Sequence, residues 1–189
     1  MATSRNVAVI VGSLRKQSLN RKLAQALIEF GPEVQLNLSI LEIGELPLFN
    51  EDWEASPPPA VTEFKKQVQA ADAVLFVTPE YNRSVPGVLK NAIDVGSRPY
   101  GHSAWNGKPG AVISSSPGAM GGFGANHHLR QSFVFLNVPL MTQPEAYIGN
   151  AAKLFDEDGK LGSEPTREFL KKYLQAFSQW IDTHLATSR

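Results

Sequence analysis

The 189-residue chain has no cysteine, no excess of charge of either sign and no long apolar run. The missing cysteine excludes disulfides, thiolate metal sites and a thiol nucleophile, and it fits a cytoplasmic setting. Eighteen Lys and Arg balance 18 Asp and Glu, and no basic block stands out. The electrostatic footprint of a nucleic-acid binder is therefore absent. No apolar stretch approaches the ~20 residues of a membrane span. The N-terminus lacks the basic-then-apolar order of a secretory signal. What is present, 42% apolar and 19% charged residues, suits an ordinary globular protein with a full core. There is no internal repeat, low-complexity tract or long linker, so residues 1–189 are expected to form a single domain.

The apolar pattern alternates between two kinds of element. Residues 6–12 read as a buried strand, because Val7-Ala8-Val9-Ile10-Val11 is continuous, β-branched and closed by Gly12. Residues 19–30 read as an amphipathic helix with Leu19, Leu23, Ala26, Leu27 and Phe30 on one face, stopped by Gly31-Pro32. Residues 34–40 alternate and read as a strand near a sheet edge. Residues 44–59, with four prolines, read as a long loop. A helix over 60–71 leads to a second buried strand at 73–78. A polar turn over 79–84 precedes a helix over 86–95, with Pro86 at its first position. Residues 111–114 form a third central strand, and a Gly-rich stretch and a helix over 125–136 follow. Residues 139–141 open a last short strand. Residues 165–186 form the longest helix, with Phe169, Leu170, Tyr173, Phe177, Trp180 and Ile181 inward. This order predicts an α/β fold: a flavodoxin-like, doubly wound, parallel five-stranded sheet of order 2-1-3-4-5, with helices on both faces.

In that fold three polar loops leave the carboxyl ends of neighbouring strands, where ligands bind. The first, Gly12-Ser13-Leu14-Arg15-Lys16-Gln17-Ser18-Leu19-Asn20, offers hydroxyls, a guanidinium and a helix N-terminus, which suits a phosphate. It has neither the Gly-x-Gly-x-x-Gly of a dinucleotide fold nor the Lys-Ser/Thr pair of a P-loop. Side chains in place of glycines favour a terminal phosphate monoester over a bridging pyrophosphate. The second loop, Pro79-Glu80-Tyr81-Asn82-Arg83-Ser84, adds an aromatic face and amide groups. The third, running from Ser114 through Ser116 and Gly118 to Gly122, adds small residues where a ring edge can lie. A phosphate at one end and a flat heterocycle at the other describe a mononucleotide such as FMN.

The quoted residues carry a family likeness. Gly12-Ser13-Leu14-Arg15-Lys16-x-Ser18-x-Asn20, Thr78-Pro79-Glu80-Tyr81-Asn82-x-Ser84-x-Pro86-Gly87-x-Leu89-Lys90-Asn91-Ala92-Ile93-Asp94 and Gly121-Gly122 resemble the NADPH-dependent FMN reductase family, and within it the bacterial chromate and quinone reductases. The resemblance implies noncovalent FMN, NADPH or NADH as donor, and ping-pong hydride transfer through the flavin. The implied acceptors are quinones and metal oxyanions such as chromate. It also implies a cytoplasmic homo-oligomer, dimer or tetramer. By matching motif, Ser13, Arg15, Ser18, Leu19 and Asn20 would hold the phosphate. Pro79, Glu80, Tyr81, Asn82 and Arg83 would flank the ring and ribityl chain, and Ser116 and Gly118 would lie near the ring. No catalytic side chain and no metal are expected. Relatives often have an aromatic after Asp94, whereas Val95-Gly96 stand here. Arg83 and Arg98 are candidates for a nicotinamide 2′-phosphate. Trp53 and Trp105 fall in loops, open to a place over the flavin pocket or in a subunit interface.

The other polar groups carry less. His127 and His128 point about 100° apart on a helix, a poor metal pair. Ser114 to Ser116 lack the Gly-x-Ser-x-Gly elbow of a nucleophile. Asp156-Glu157-Asp158-Gly159 lacks a twelve-residue calcium pattern and reads as a solvated turn. A flavodoxin-like electron carrier and a flavin-binding regulatory protein are the alternatives. The zero net charge argues against the carrier, which would dock on its partners through an acidic surface.

Overall fold

Alternate residues of the apolar strands feed two separate cores. In the computed structural model, which describes residues 4–187, Val7, Val9 and Val11 point into one core, and Ala8 and Ile10 into the other. Leu75 and Val77 part from Val74 and Phe76 in the same way. Successive strand side chains face opposite ways, so a continuous apolar run is the mark of a strand covered on both sides.

The strands are β1 (Arg5–Val11), β2 (Leu36–Leu41), β3 (Ala73–Thr78), β4 (Gly110–Ser115) and β5 (Ala146–Ile148). They form one sheet in the order β2-β1-β3-β4-β5, and every neighbouring pair is parallel. The helices are α1 (Leu19–Phe30), α2 (Pro59–Ala70), α3 (Gly87–Ser97), α4 (Phe123–Phe135) and α5 (Glu164–Thr187). Helices α1 and α5 cover one face, and α2, α3 and α4 cover the other. The expected flavodoxin-like topology is the observed one. β2 is an edge strand whose residues alternate between buried and exposed over Leu36 to Ser39, as its sequence alternation requires. Pro86 stands one position before α3 as its cap, not as its first helical residue. No helix among the described residues is long and apolar enough to cross a membrane.

The last strand is not where the sequence put it. Residues 139–141 touch β4 only at its start, where Gly110 donates to the Pro139 carbonyl at 3.0 Å and Met141 donates to the Gly110 carbonyl at 2.8 Å. Pro139 has no N–H to extend that ladder. The chain leaves the sheet and returns as β5, pairing Ala146 with Ile113.

Trp105 also departs from expectation. It is fully buried, in neither a pocket mouth nor an interface. Its indole N–H donates to the Ile93 carbonyl at 2.9 Å, and its ring packs against Phe64 and Phe76. The ring fills the space beside Gly96, where an added Cβ would lie 2.5 Å from it. The absence of a side chain at Gly96 thus makes room for the Trp105 ring. Trp53 is half-buried, edge-on to Phe49 at 5.5 Å. Gly96→Ala is expected to destabilise the fold by about 1–3 kcal/mol through overpacking, read as a lower denaturation midpoint with an unchanged slope.

Candidate functional site

The sheet order brings the carboxyl ends of β1, β3 and β4 side by side. Val11 pairs with Val77, and Thr78 pairs with Ser114, so the three strands end at one level and their loops emerge together.

The first loop begins at Gly12, whose N–H extends the ladder to the Val77 carbonyl at 2.9 Å. A Cβ there would press on Leu89 and Thr78 at 3.0 and 3.1 Å, so only glycine fits comfortably between β1 and α3. Ser13 and Ser18 are buried. Ser18 caps α1, its oxygen accepting from the Arg21 N–H at 3.2 Å, which leaves its hydroxyl proton free to donate. The N–H groups of Leu14, Arg15, Lys16, Leu19 and Asn20 have no acceptor among the described residues. The Arg15 side chain is exposed and makes no ion pair with any of them. A helix N-terminus, unused backbone donors, two hydroxyls and a free guanidinium make a donor set that fits a dianionic phosphate.

Asn20 is differently employed. Its side chain is buried and bonded at both ends to one residue: Nδ2 donates to the Ser115 carbonyl at 3.2 Å, and Ser115 Oγ donates to Oδ1 at 3.1 Å. This buried pair joins the start of α1 to the end of β4 and sets the first loop against the third.

The second loop is a tight reversal. Tyr81 and Ser84 exchange both backbone hydrogen bonds, at 3.0 and 2.9 Å, around Asn82 and Arg83. Those two have φ of 50° and 64°, the signature of a two-residue hairpin turn of type I′. The turn leaves the Tyr81 ring half exposed, and the Arg83 side chain reaches into solvent. The Pro79 carbonyl accepts from Thr78 Oγ1 at 2.8 Å. The Glu80 carboxyl turns inward, and Oε2 accepts from the Ala125 N–H in the first turn of α4 at 3.1 Å.

The third loop is held from behind. Ser116 Oγ donates to the Gly118 carbonyl at 3.1 Å, and the same carbonyl accepts from Asn150 and Gly121. Residues 117–120 are exposed. Gly121, at φ 60°, passes so close to β5 that a Cβ would lie 2.6 Å from the Tyr147 carbonyl carbon. Asn126, fully buried, donates to Ser114 Oγ and the Ala146 carbonyl and accepts from Arg130. Arg98, by contrast, lies just beyond the C-terminal end of α3. It is paired with Glu54 at 2.6 Å and Glu51 at 3.0 Å and lies over Phe49, so it is committed elsewhere than the strand ends.

One cluster escaped the sequence reading. Phe123, His127 and Tyr147 pack together beside the third loop, with His127 Nε2 2.8 Å from the Tyr147 hydroxyl. Burial and, after it, the nearby Glu145 carboxylate push the Tyr147 pKa up to about 12. The four-residue spacing of Phe123 and His127 on a helix was a usable signal for half of this cluster. The return of β5 beneath them was not visible in the sequence.

The model for the NADPH-dependent FMN reductase family matches residues 5–153. A quinone reductase of Pseudomonas putida is 62% identical over 96% of this chain and 97% of its own length. A 2-hydroxy-1,4-benzoquinone reductase of a Burkholderia species is 45% identical over 93% of this chain and 95% of its own. The solved structure of a flavoenzyme NAD(P)H:(acceptor) oxidoreductase from Paracoccus denitrificans superposes with a TM-score of 0.89 at 45% identity, covering 95% of this chain and 98% of that one.

Replacing Asn20 with Ala strands the Ser115 hydroxyl and carbonyl in a buried place. The expected cost is about 1–3 kcal/mol of stability, measured by denaturant titration of the cofactor-free protein. An unchanged midpoint would show that the pair does not hold the loops.

Proposed function

The chain belongs to the NADPH-dependent FMN reductase family, and on that premise we propose that it oxidises NADPH or NADH and reduces quinones, with noncovalently bound FMN between them. The observation that carries this reading is the phosphate-like donor set of the first loop, standing beside two further loops at adjoining strand ends. In it, the Arg15 guanidinium, the Ser13 and Ser18 hydroxyls and the N–H groups of Leu19 and Asn20 hold the terminal phosphate. The Asn20 side chain keeps that loop in register with β4 through Ser115. Pro79, Glu80, Tyr81, Asn82 and Arg83 border the ring and ribityl chain. Ser116 and Gly118 border the ring's far edge. One domain spanning residues 1–189 carries all of these groups.

FMN when bound supplies the hydride acceptance and release, for a net NAD(P)H + H⁺ + quinone → NAD(P)⁺ + quinol. The protein's part is orientation and electrostatics. Backbone N–H groups of the strand-end loops would favour negative charge on a bound ring, and no side chain is required as acid, base or nucleophile. Donor and acceptor share one open face, so the kinetics are ping-pong. An open face of this kind also admits small oxyanions, which extends the reading to chromate. Tyr100, Val134 and Phe135, each more than 80% exposed, support assembly into a homodimer or homotetramer. The proposed location is the cytoplasm.

The test is turnover. Purified protein carrying FMN is expected to consume NADPH only when a benzoquinone is added, with parallel double-reciprocal lines as both concentrations vary. A protein with no flavin affinity, or one whose flavin NADPH does not bleach anaerobically, would overturn the reading. Arg15→Ala is expected to weaken FMN binding by about ten- to a hundredfold, the worth of one charge-assisted contact, with less effect on turnover at saturating FMN. Unchanged affinity in that variant would detach the first loop from the cofactor.

A further inference from the structure

Glu80 is the only acidic residue in the three strand-end loops, and it does not face solvent. Its side chain is 12% exposed. Oε2 accepts from the Ala125 N–H at 3.1 Å. Helix α4 has no cap of its own: Gly122 precedes it without a side chain, and its first turn holds no acidic residue. Gly124 makes the approach possible, since a Cβ there would stand 2.9 Å from Oε2. Ser84, at the other end of the same loop, lies 2.9 Å from His128 Nδ1 on α4. The second loop is thus fastened to α4 at both ends, and a carboxylate sits on the positive end of that helix.

We propose that Glu80 is a positioning residue whose carboxylate locks the second loop to α4, outweighs the positive helix end beside the third loop and so keeps the midpoint potential of bound FMN low. The assignment rests on the FMN reading above. A helix N-terminus acts as roughly half a positive charge and favours anions near it. Left bare beside the ring, it would stabilise the reduced, more negative form of the cofactor. A full negative charge placed on it reverses the sign of the local field, favours the oxidised form and makes the reduced cofactor a stronger donor to quinones. Arg83 Nη1 lies 3.3 Å from Oε1, but its side chain is 80% exposed, so solvent and salt leave it a weak counter-charge.

The experiment compares wild type, Glu80→Gln and Gly124→Ala as FMN-loaded proteins in a spectroelectrochemical titration, with melting of the cofactor-free proteins alongside. Glu80→Gln keeps an oxygen for the Ala125 N–H and removes only the charge. Its potential is expected to shift positive while its melting temperature stays near wild type. Gly124→Ala keeps the charge but pushes it off the helix end, so its potential is expected to move the same way. A Glu80→Gln protein that binds FMN at the wild-type potential overturns the electrostatic role. Lower melting temperatures with unmoved potentials would reduce Glu80 to a structural cap and overturn it equally. Failure of the wild-type protein to bind FMN would instead overturn the reading beneath it, and the assignment with it.

Discussion

A parallel sheet covered on both faces has nowhere to put polar chemistry except its ends. β1, β3 and β4 are flanked by other strands and roofed by helices, and their side chains beyond the first residues of β1 are buried. A charged or hydrogen-bonding group set midway along them would be left without water, and the polar Thr78, Ser114 and Ser115 stand at their carboxyl ends, where they find partners. The helices therefore do the covering, and the loops at the carboxyl ends gather the donors. The position of the candidate site follows from this constraint before any family likeness is considered.

The same constraint makes the loops dependent on one another. The third is braced by β5 through the Ser116 N–H to the Ile148 carbonyl at 3.1 Å, and side chains tie all three to neighbouring elements. Asn20 reaches Ser115, Glu80 reaches Ala125, and Asn126 reaches Ser114 and Ala146. These bonds lie beneath the candidate site and leave the outward groups, namely the Arg15 guanidinium, the first-loop N–H groups and the Tyr81 ring, unspent. The inner polar atoms hold shape, and the outer ones have no partner among the described residues.

Local chemistry was legible in the sequence, and long-range partnership was not. The strand ending at Gly12 and the cap at Ser18 could be read directly, because a β-branched run followed by a glycine and a hydroxyl is decided by neighbours in the chain. The sheet order followed from the alternation of elements. For Asn20 and Glu80 residue type told what the side chain can bond, but not the internal partners it holds, which lie 95 and 45 residues away. Residues 139–141 looked like a strand because they are apolar, yet Pro139 cannot donate and the pairing passes to β5. Trp105 could not be placed, since its burial depends on a glycine on another element.

That glycine and that tryptophan are two halves of one volume. Gly96 yields the space that Trp105 occupies, and neither choice makes sense without the other. In sequences that put bulk on α3 itself, a tryptophan from the following loop would have no room. Passing from one solution to the other by single substitutions leads through either a clash or a void. The two positions are therefore coupled, and enlarging residue 96 alone carries a penalty that trimming Trp105 at the same time would relieve.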